Sequence, residues 1–155
     1  MGATVMYTRL LGVKDFNKFY ELLLKSFAER GFLDTTFDRQ QVNIEAKRCI
    51  AASDHSVIGL YNDDELIGFV IAMHGQNIYN KDQYLQVDMM HTVTGFRRDA
   101  HIQELFNAIR QLAQENNATR IICNDKAISC NNETKSLLYA KNIFFQTDTV
   151  WEAEV

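Results

Sequence analysis

Residues 86–115 read QVDMMHTV, TGFRRDA, HIQELFNAIRQLAQE, and the three pieces obey three different patterns. QVDMMHTV is rich in β-branched and bulky apolar residues, as a buried strand is. HIQELFNAIRQLAQE brings an apolar residue round every three or four positions. Ile102, Leu105, Phe106, Ile109 and Leu112 therefore share one face of a helix, while Gln103, Glu104, Arg110, Gln111 and Gln114 take the other. TGFRRDA between them has no apolar period and reads as a tight basic loop. A strand that passes through a short loop into a helix leaves the helix's first N–H groups pointing back at that loop. With the positive end of the helix dipole and the guanidinium groups of Arg97 and Arg98, those donors suit a diphosphate or another anion. The plainer alternative is a strand–helix connection with two solvated arginines, since a glycine-rich phosphate cradle is absent.

Composition bounds what surrounds this unit. With 155 residues, 46% hydrophobic and 23% charged, the chain suits one globular domain, 1–155, with room for a full core. No apolar run reaches the ~20 residues of a membrane span. The opening MGATVMYTRLLGV lacks the succession of basic region, apolar core and small-residue cleavage site, so a secretory leader is not expected. A net charge of −4 argues against broad nucleic-acid affinity. Cys49, Cys123 and Cys130 are odd in number and away from any metal spacing, and they read as buried thiols of a reduced, cytoplasmic protein. No His/Cys/Asp cluster supports a metal, and no Ser/His/Asp order with a nucleophile elbow points to a hydrolase. Oligomeric state is left open, a homodimer included.

Outward from the central stretch, helical and extended patterns alternate. Residues 4–11 suit a first strand, and Asp15 suits the cap of a helix whose Phe16, Phe19, Tyr20, Leu23 and Phe27 form an aromatic core stripe ending at Gly31. A loop at 32–38 leads to a second helix at 39–52, with Val42, Ala46, Cys49 and Ile50 inward. SVIGLYNDDELIGFVIAMHG predicts a hairpin of two strands around the polar turn Asn62-Asp63-Asp64-Glu65. After a polar connection at 76–83 the central strand begins near Tyr84. Beyond its helix, Asn116 and Asn117 suit a C-cap, 119–125 a strand, 133–142 a short helix, and 143–155 one long strand or a bent pair. The layout is α/β with a mixed sheet, strands 84–93 and 119–125 lying parallel.

This order, with ELIGFVIAM in the hairpin and the late LLYAKNIFF, resembles the GNAT superfamily of N-acyltransferases over nearly the whole chain. The family's loop, Arg/Gln-x-x-Gly-x-Gly/Ala before the central helix, aligns Arg97 first, with Ala100 and Ile102 at the small-residue positions and Leu105 and Phe106 at the apolar pair. Its later segment aligns on Asn132, Tyr139, Ile143 and Phe144. Glycine in such a loop allows positive φ and close backbone approach to oxygen, so Ile102 suits it only with the side chain turned inward. The resemblance implies acetyl-coenzyme A as cosubstrate. Its diphosphate would lie on Arg97, Arg98 and the backbone of Asp99, Ala100, His101 and Ile102. Its acyl arm would lie along Met90, His91 and Thr92, where the central strand and the next one splay, with Asn132 touching the arm.

The chemistry implied is attack of an uncharged amine on the thioester in a ternary complex, with proton donation to the departing thiolate. By family position Tyr139 is the donor; its alternative role is a core tyrosine. Asp88 and His91, three residues apart on one strand and so expected on opposite faces, are the candidates to take the amine's proton. His91 has a suitable ordinary pKa, whereas Asp88 needs burial to raise its own. His55, His74 and His101 have no partner spacing. The acceptor is a small-molecule or peptide amine, with loops 32–38 and 76–83 facing it. The competing reading is a non-catalytic GNAT-fold adaptor or assembly protein that has lost cofactor binding along with the motif glycines.

Overall fold

A computed structural model describes residues 5–29, 38–93, 95, 99–124, 139, 145–147 and 150–155. The elements within them are β1 (Met6–Leu10), α1 (Phe16–Glu29), α2 (Arg39–Ala51), β2 (His55–Asn62), β3 (Glu65–Gln76), β4 (Gln83–Thr92), α3 (Asp99–Glu115), β5 (Arg120–Asn124), β6 (Phe145–Thr147) and β7 (Val150–Glu154). The strands form one seven-stranded sheet in the order β1-β2-β3-β4-β5-β7-β6. Its pairs are antiparallel except β4 with β5, which run parallel and are joined through α3. The mixed α/β sheet read from the sequence is therefore present, and the last segment is an antiparallel pair. The expected helix at 133–142 lies outside the described residues apart from Tyr139, as do Arg97, Arg98, Asn132, Cys130, Ile143, Phe144 and residues 30–37.

Each face of the sheet carries its own core. On one, the predicted stripe of α3 is buried, with Ile102, Leu105, Phe106, Ile109 and Leu112 packed against Leu60, Val70, Leu85, Val87 and Ile121. Asn117 closes that helix at φ 57°, the left-handed conformation that asparagine tolerates at a C-cap. On the other face α1 and α2 pack Phe19, Leu22, Leu23, Ala46 and Cys49 against Val57, Phe69, Ile71 and Met89. Phe19 meets Phe69 edge-on at 5.3 Å between ring centres. Asp38 caps α2 by accepting from Gln40 N–H at 2.8 Å. Two strand glycines mark close approach: Gly75 lies beneath the ring of Tyr84, its cross-strand partner, and Gly68 faces the end of β4.

Asp15 is not the helix cap expected of it. Residues Val13–Asp15 form a 3₁₀ turn started by Gly12, and the Asp15 carboxylate reaches back to accept from Gly12 N–H at 2.9 Å. It also accepts two bonds from Arg9, at 2.9 and 3.0 Å. Arg9 donates in turn to the Tyr61 hydroxyl at 2.7 Å, and Tyr7 stacks on Tyr61 at 5.2 Å. One carboxylate thus ties the entry of α1 to β1 and β2.

The hydrogen bond from Arg9, assisted by the Gly12 N–H and opposed by burial, holds the Asp15 carboxyl below its ordinary range. Its folded pKa is thus below the unfolded one. The stabilisation is complete above the unfolded value and fades as pH falls through the folded one, below about pH 4. Arg9 is partly exposed, so Asp15→Asn should cost about 1–2 kcal/mol at neutral pH and flatten the acid limb of stability. Urea midpoints at pH 7 and pH 3 measure both effects; identical midpoints at pH 7 would remove this clamp from the account.

Candidate functional site

A regular strand sends alternate side chains to opposite faces, and β4 breaks that rule once. Its register against β3 runs Ala72–Val87 and then Ile71–Met89, leaving Asp88 as an extra residue in a bulge. Leu85 and Val87 face α3, and beyond the bulge Met90 does so, while Met89 joins the core under α1 and α2. Asp88 and His91 were expected on opposite faces. The extra residue shifts parity between them, and both lie on the α1/α2 side.

Among the described residues the bulge is also where the pairing of β4 with β5 ends. Their parallel ladder runs from Tyr84–Arg120 to Val87–Cys123, and β4 continues to Thr92. Asn124, the next residue of β5, is paired to Val150 on the other side. Met90, His91 and Thr92 follow the last described pair, and α3 starts at Asp99 beyond them. Ile102 is 1% exposed and its side chain is in the α3 core, so the isoleucine does not occupy the space in front of the helix's first N–H groups. Ala100 is exposed and helical. The glycines of the family loop are therefore not required by backbone conformation at these two positions.

On the α1/α2 side the bulge opens into a hollow of 310 Å³, with Leu23, Phe27, Val42, Ala46, Ile71 and Met89 as its apolar lining and Gln41, Glu45, Arg48, His55 and Asp88 as its polar lining. The Asp88 side chain is 35% exposed, and burial raises its carboxyl pKa, opposed by the charge of His55 and a hydrogen bond from Gln86. His55, 3% exposed in its side chain, points Nε2 at Asp88 across 3.9 Å. Its Nδ1 lies 2.8 Å from Asp54 Oδ1. Asp54 is held ionised, its pKa lowered first by that hydrogen bond. A carboxylate only accepts, so Nδ1 carries the proton and the Nε2 lone pair faces Asp88 when the ring is neutral. Asp54, His55 and Asp88 form a line from solvent to the hollow. His74 stands nearby with Nε2 2.9 Å from Ser56 Oγ, its pKa lowered first by burial and then by His55.

The sequence reading gave His55 no partner. One partner is its neighbour in sequence and the other arrives two strands away, through a register no local pattern encodes. Of the residues it did select, His91 is 1% exposed, with Nε2 3.4 Å from Glu29 Oε2 and its ring 5.8 Å from that of Phe69. Tyr139 is fully buried in the α3 core, edge-on to Phe106 at 6.1 Å. His101 is half-buried in the first turn of α3. Cys49 and Cys123 are buried free thiols whose pKa values burial raises. The connection between β3 and β4 is exposed, with Tyr79 at its tip. Among the described residues no His/Cys/Asp/Glu group could hold a metal, and no helix is long and apolar enough to cross a membrane.

No protein-family model matches the chain, and no curated protein matches it in sequence. Solved structures match over almost its full length. A ribosomal-protein-alanine N-acetyltransferase from Brucella melitensis biovar Abortus 2308 is 18% identical at a TM-score of 0.72, covering 93% of this chain and 94% of that one. A predicted acetyltransferase with acetyl-CoA from Clostridium acetobutylicum is 15% identical at 0.72, covering 93% and 92%. An aminoglycoside N-acetyltransferase in complex with CoA is 14% identical at 0.68, covering 95% and 92%. At these identities the likeness is one of fold, and the fold of this chain is that of the GNAT N-acetyltransferases.

Gly68 sets how closely β3 approaches the end of β4. A Cβ there would stand 2.8 Å from the His91 carbonyl oxygen and 3.0 Å from Thr92 Cγ2. Gly68→Ala must push the strand edge after the bulge, at a cost of roughly 1–3 kcal/mol. Chemical denaturation reads the cost, and amide chemical shifts should move at His91 and Thr92; an unperturbed midpoint and spectrum would contradict the close approach.

Proposed function

We propose that this protein transfers an acetyl group from acetyl-coenzyme A to an amine by direct attack in a ternary complex. The observation that carries the reading is the bulge at Asp88. It coincides with the end of the described ladder between β4 and β5 and turns a carboxylate into a hollow on the α1/α2 side. The coenzyme supplies the activated acyl thioester. In this reading the backbone of Met90, His91 and Thr92 orients the acyl arm, and Asn132 contacts it. Arg97 and Arg98 with the N–H groups of Asp99, Ala100, His101 and Ile102 hold the diphosphate.

The proton traffic divides between two sides of the strand. Asp88 accepts the proton of the incoming amine, its basicity favoured by burial, and His55, held by Asp54 and 3.9 Å from Asp88, sets the charge beside it. His91, closed in by Phe69 and Glu29, is assigned to orienting the strand beside them. As the carbon–nitrogen bond forms and the carbon–sulfur bond breaks, Tyr139 protonates the departing thiolate. Buried free thiols at Cys49 and Cys123 agree with a reducing compartment, and we assign the protein to the cytoplasm. The second reading, a GNAT-fold adaptor without chemistry, draws its support from the complete burial of Tyr139 against Phe106.

A thermal-shift titration separates the two. Acetyl-coenzyme A at ~100 times its Kd should add roughly 2.7 kcal/mol of stability, and replacing Arg97 and Arg98 by alanine should weaken binding and its salt dependence. No shift at any concentration favours the adaptor. For the enzyme, Tyr139→Phe should lower kcat by ~10² to 10⁴ with cofactor affinity unchanged; an unaltered kcat would remove Tyr139 from the mechanism.

His55 tests the Asp88 side of that traffic. Its charge lowers the Asp88 pKa against the effect of burial. His55→Gln should therefore raise that pKa and move the acid limb of kcat/KM to higher pH. An unmoved limb would separate His55 from Asp88.

A further inference from the structure

The hollow against the bulge has a chemistry of its own. Its α1 wall contributes Leu23 and Phe27, its α2 wall Val42 and Ala46, and its floor Ile71 and Met89. Two charges at its α2 rim are spent on each other, Arg48 donating to Glu45 Oε2 at 2.7 and 3.0 Å. Cys49 beside them is a thiol whose pKa burial raises, and α1 brings Leu23 and Phe27 to this hollow. Asp88 meets Gln86 at 3.3 Å and His55 at 3.9 Å, the latter too long for a hydrogen bond. It is thus a carboxylate on the lining of a largely apolar recess, with acceptor capacity to spare.

We propose that this hollow is the acceptor site and takes a small monoamine on an apolar alkyl or aryl body, its ammonium group set against Asp88. The proposal rests on the acetyltransferase reading and narrows its substrate. An ammonium ion supplies the charge and donors that Asp88 lacks, while the apolar body displaces water from Leu23, Phe27, Val42, Ala46, Ile71 and Met89. At 310 Å³ the recess is near the lower end for ligand sites, about 300–1,000 Å³. With Glu45 engaged by Arg48, a polyamine or aminoglycoside would find only the Gln41 amide beyond Asp88 for its further ammonium groups. A peptide would have as few partners for its amide groups. Transfer of the ammonium proton to Asp88, whose side chain is 35% exposed and can release it to water, would leave the neutral amine the reaction needs.

Binding can be read without chemistry. Calorimetry of the whole protein with 2-phenylethylamine should give saturable binding, and 2-phenylethanol, its uncharged analogue, should bind roughly tenfold or more weakly. Asp88→Asn should lose a similar factor for the amine and little for the alcohol. Val42→Phe, at a half-buried wall position, should weaken both, with circular dichroism reporting that each variant is folded. Equal affinity for amine and alcohol, no binding of 2-phenylethylamine, or tighter binding of an aminoglycoside or a tripeptide in competition with it would each overturn the proposal. Acetyl transfer to some other amine without binding of 2-phenylethylamine would leave the enzyme reading standing and this one refuted. Asp88-dependent binding without transfer to any amine would do the reverse.

Discussion

A single supernumerary residue in β4 governs the arrangement on both faces of the sheet. Backbone hydrogen bonding fixes one residue opposite one, so an extra residue must be left out of the ladder and the side chains beyond it exchange faces. Without Asp88 in the bulge, the strand that presents Leu85 and Val87 to α3 would continue to present odd-numbered residues there. His91 would enter the α3 core and Met90 the α1/α2 side. With it, Met90 seals the α3 core, and Met89, His91 and Asp88 itself belong to the other side. The hollow, the last described pair with β5 and the line through His55 all meet at that position.

Such a bulge persists only if its surroundings leave no cheaper register. Here both sides are held: α3 is fastened by five fully or nearly buried side chains, and α1 is fastened at its entry by the Asp15 carboxylate. Slippage by one residue would send apolar groups out of two cores at once. The bend is therefore kept by packing distributed over two helices, while the carboxylate it turns out is left to whatever the hollow must hold. Division of labour of this kind is common where function sits at an irregular point of a rigid frame.

What could be read from the chain in advance follows from this division. The face of α3, the Asp63 and Asp64 turn, the C-cap at Asn117 and the parallel neighbours β4 and β5 are local or nearly local properties, carried by period, turn chemistry and the length of a crossover. The misread features share another origin. Asp15 looked like a cap because an acidic residue precedes an apolar run. The chain had already turned at Gly12, three residues earlier, and its partner Arg9 lay on the strand before. The faces of Asp88 and His91 were assigned by counting residues, and counting fails at a bulge. His55 acquires its meaning from Asp88, which only the registers of β2 on β3 and β3 on β4 bring near. The inward side chain of Ile102 was the condition set for the loop, and helical period sufficed to meet it.

The pairing of Gly75 with Tyr84 has a consequence for how this sequence can change over evolutionary time. The tyrosine ring covers the glycine so closely that any side chain at position 75 would enter it, while without the ring the bare glycine would expose the backbone of two long strands to water. A side chain at position 75 requires the ring to swing aside or to shrink, so these two sites are expected to travel through descent as a linked pair. A family tree in which they vary independently would mark the branch where this end of the hairpin has been rebuilt.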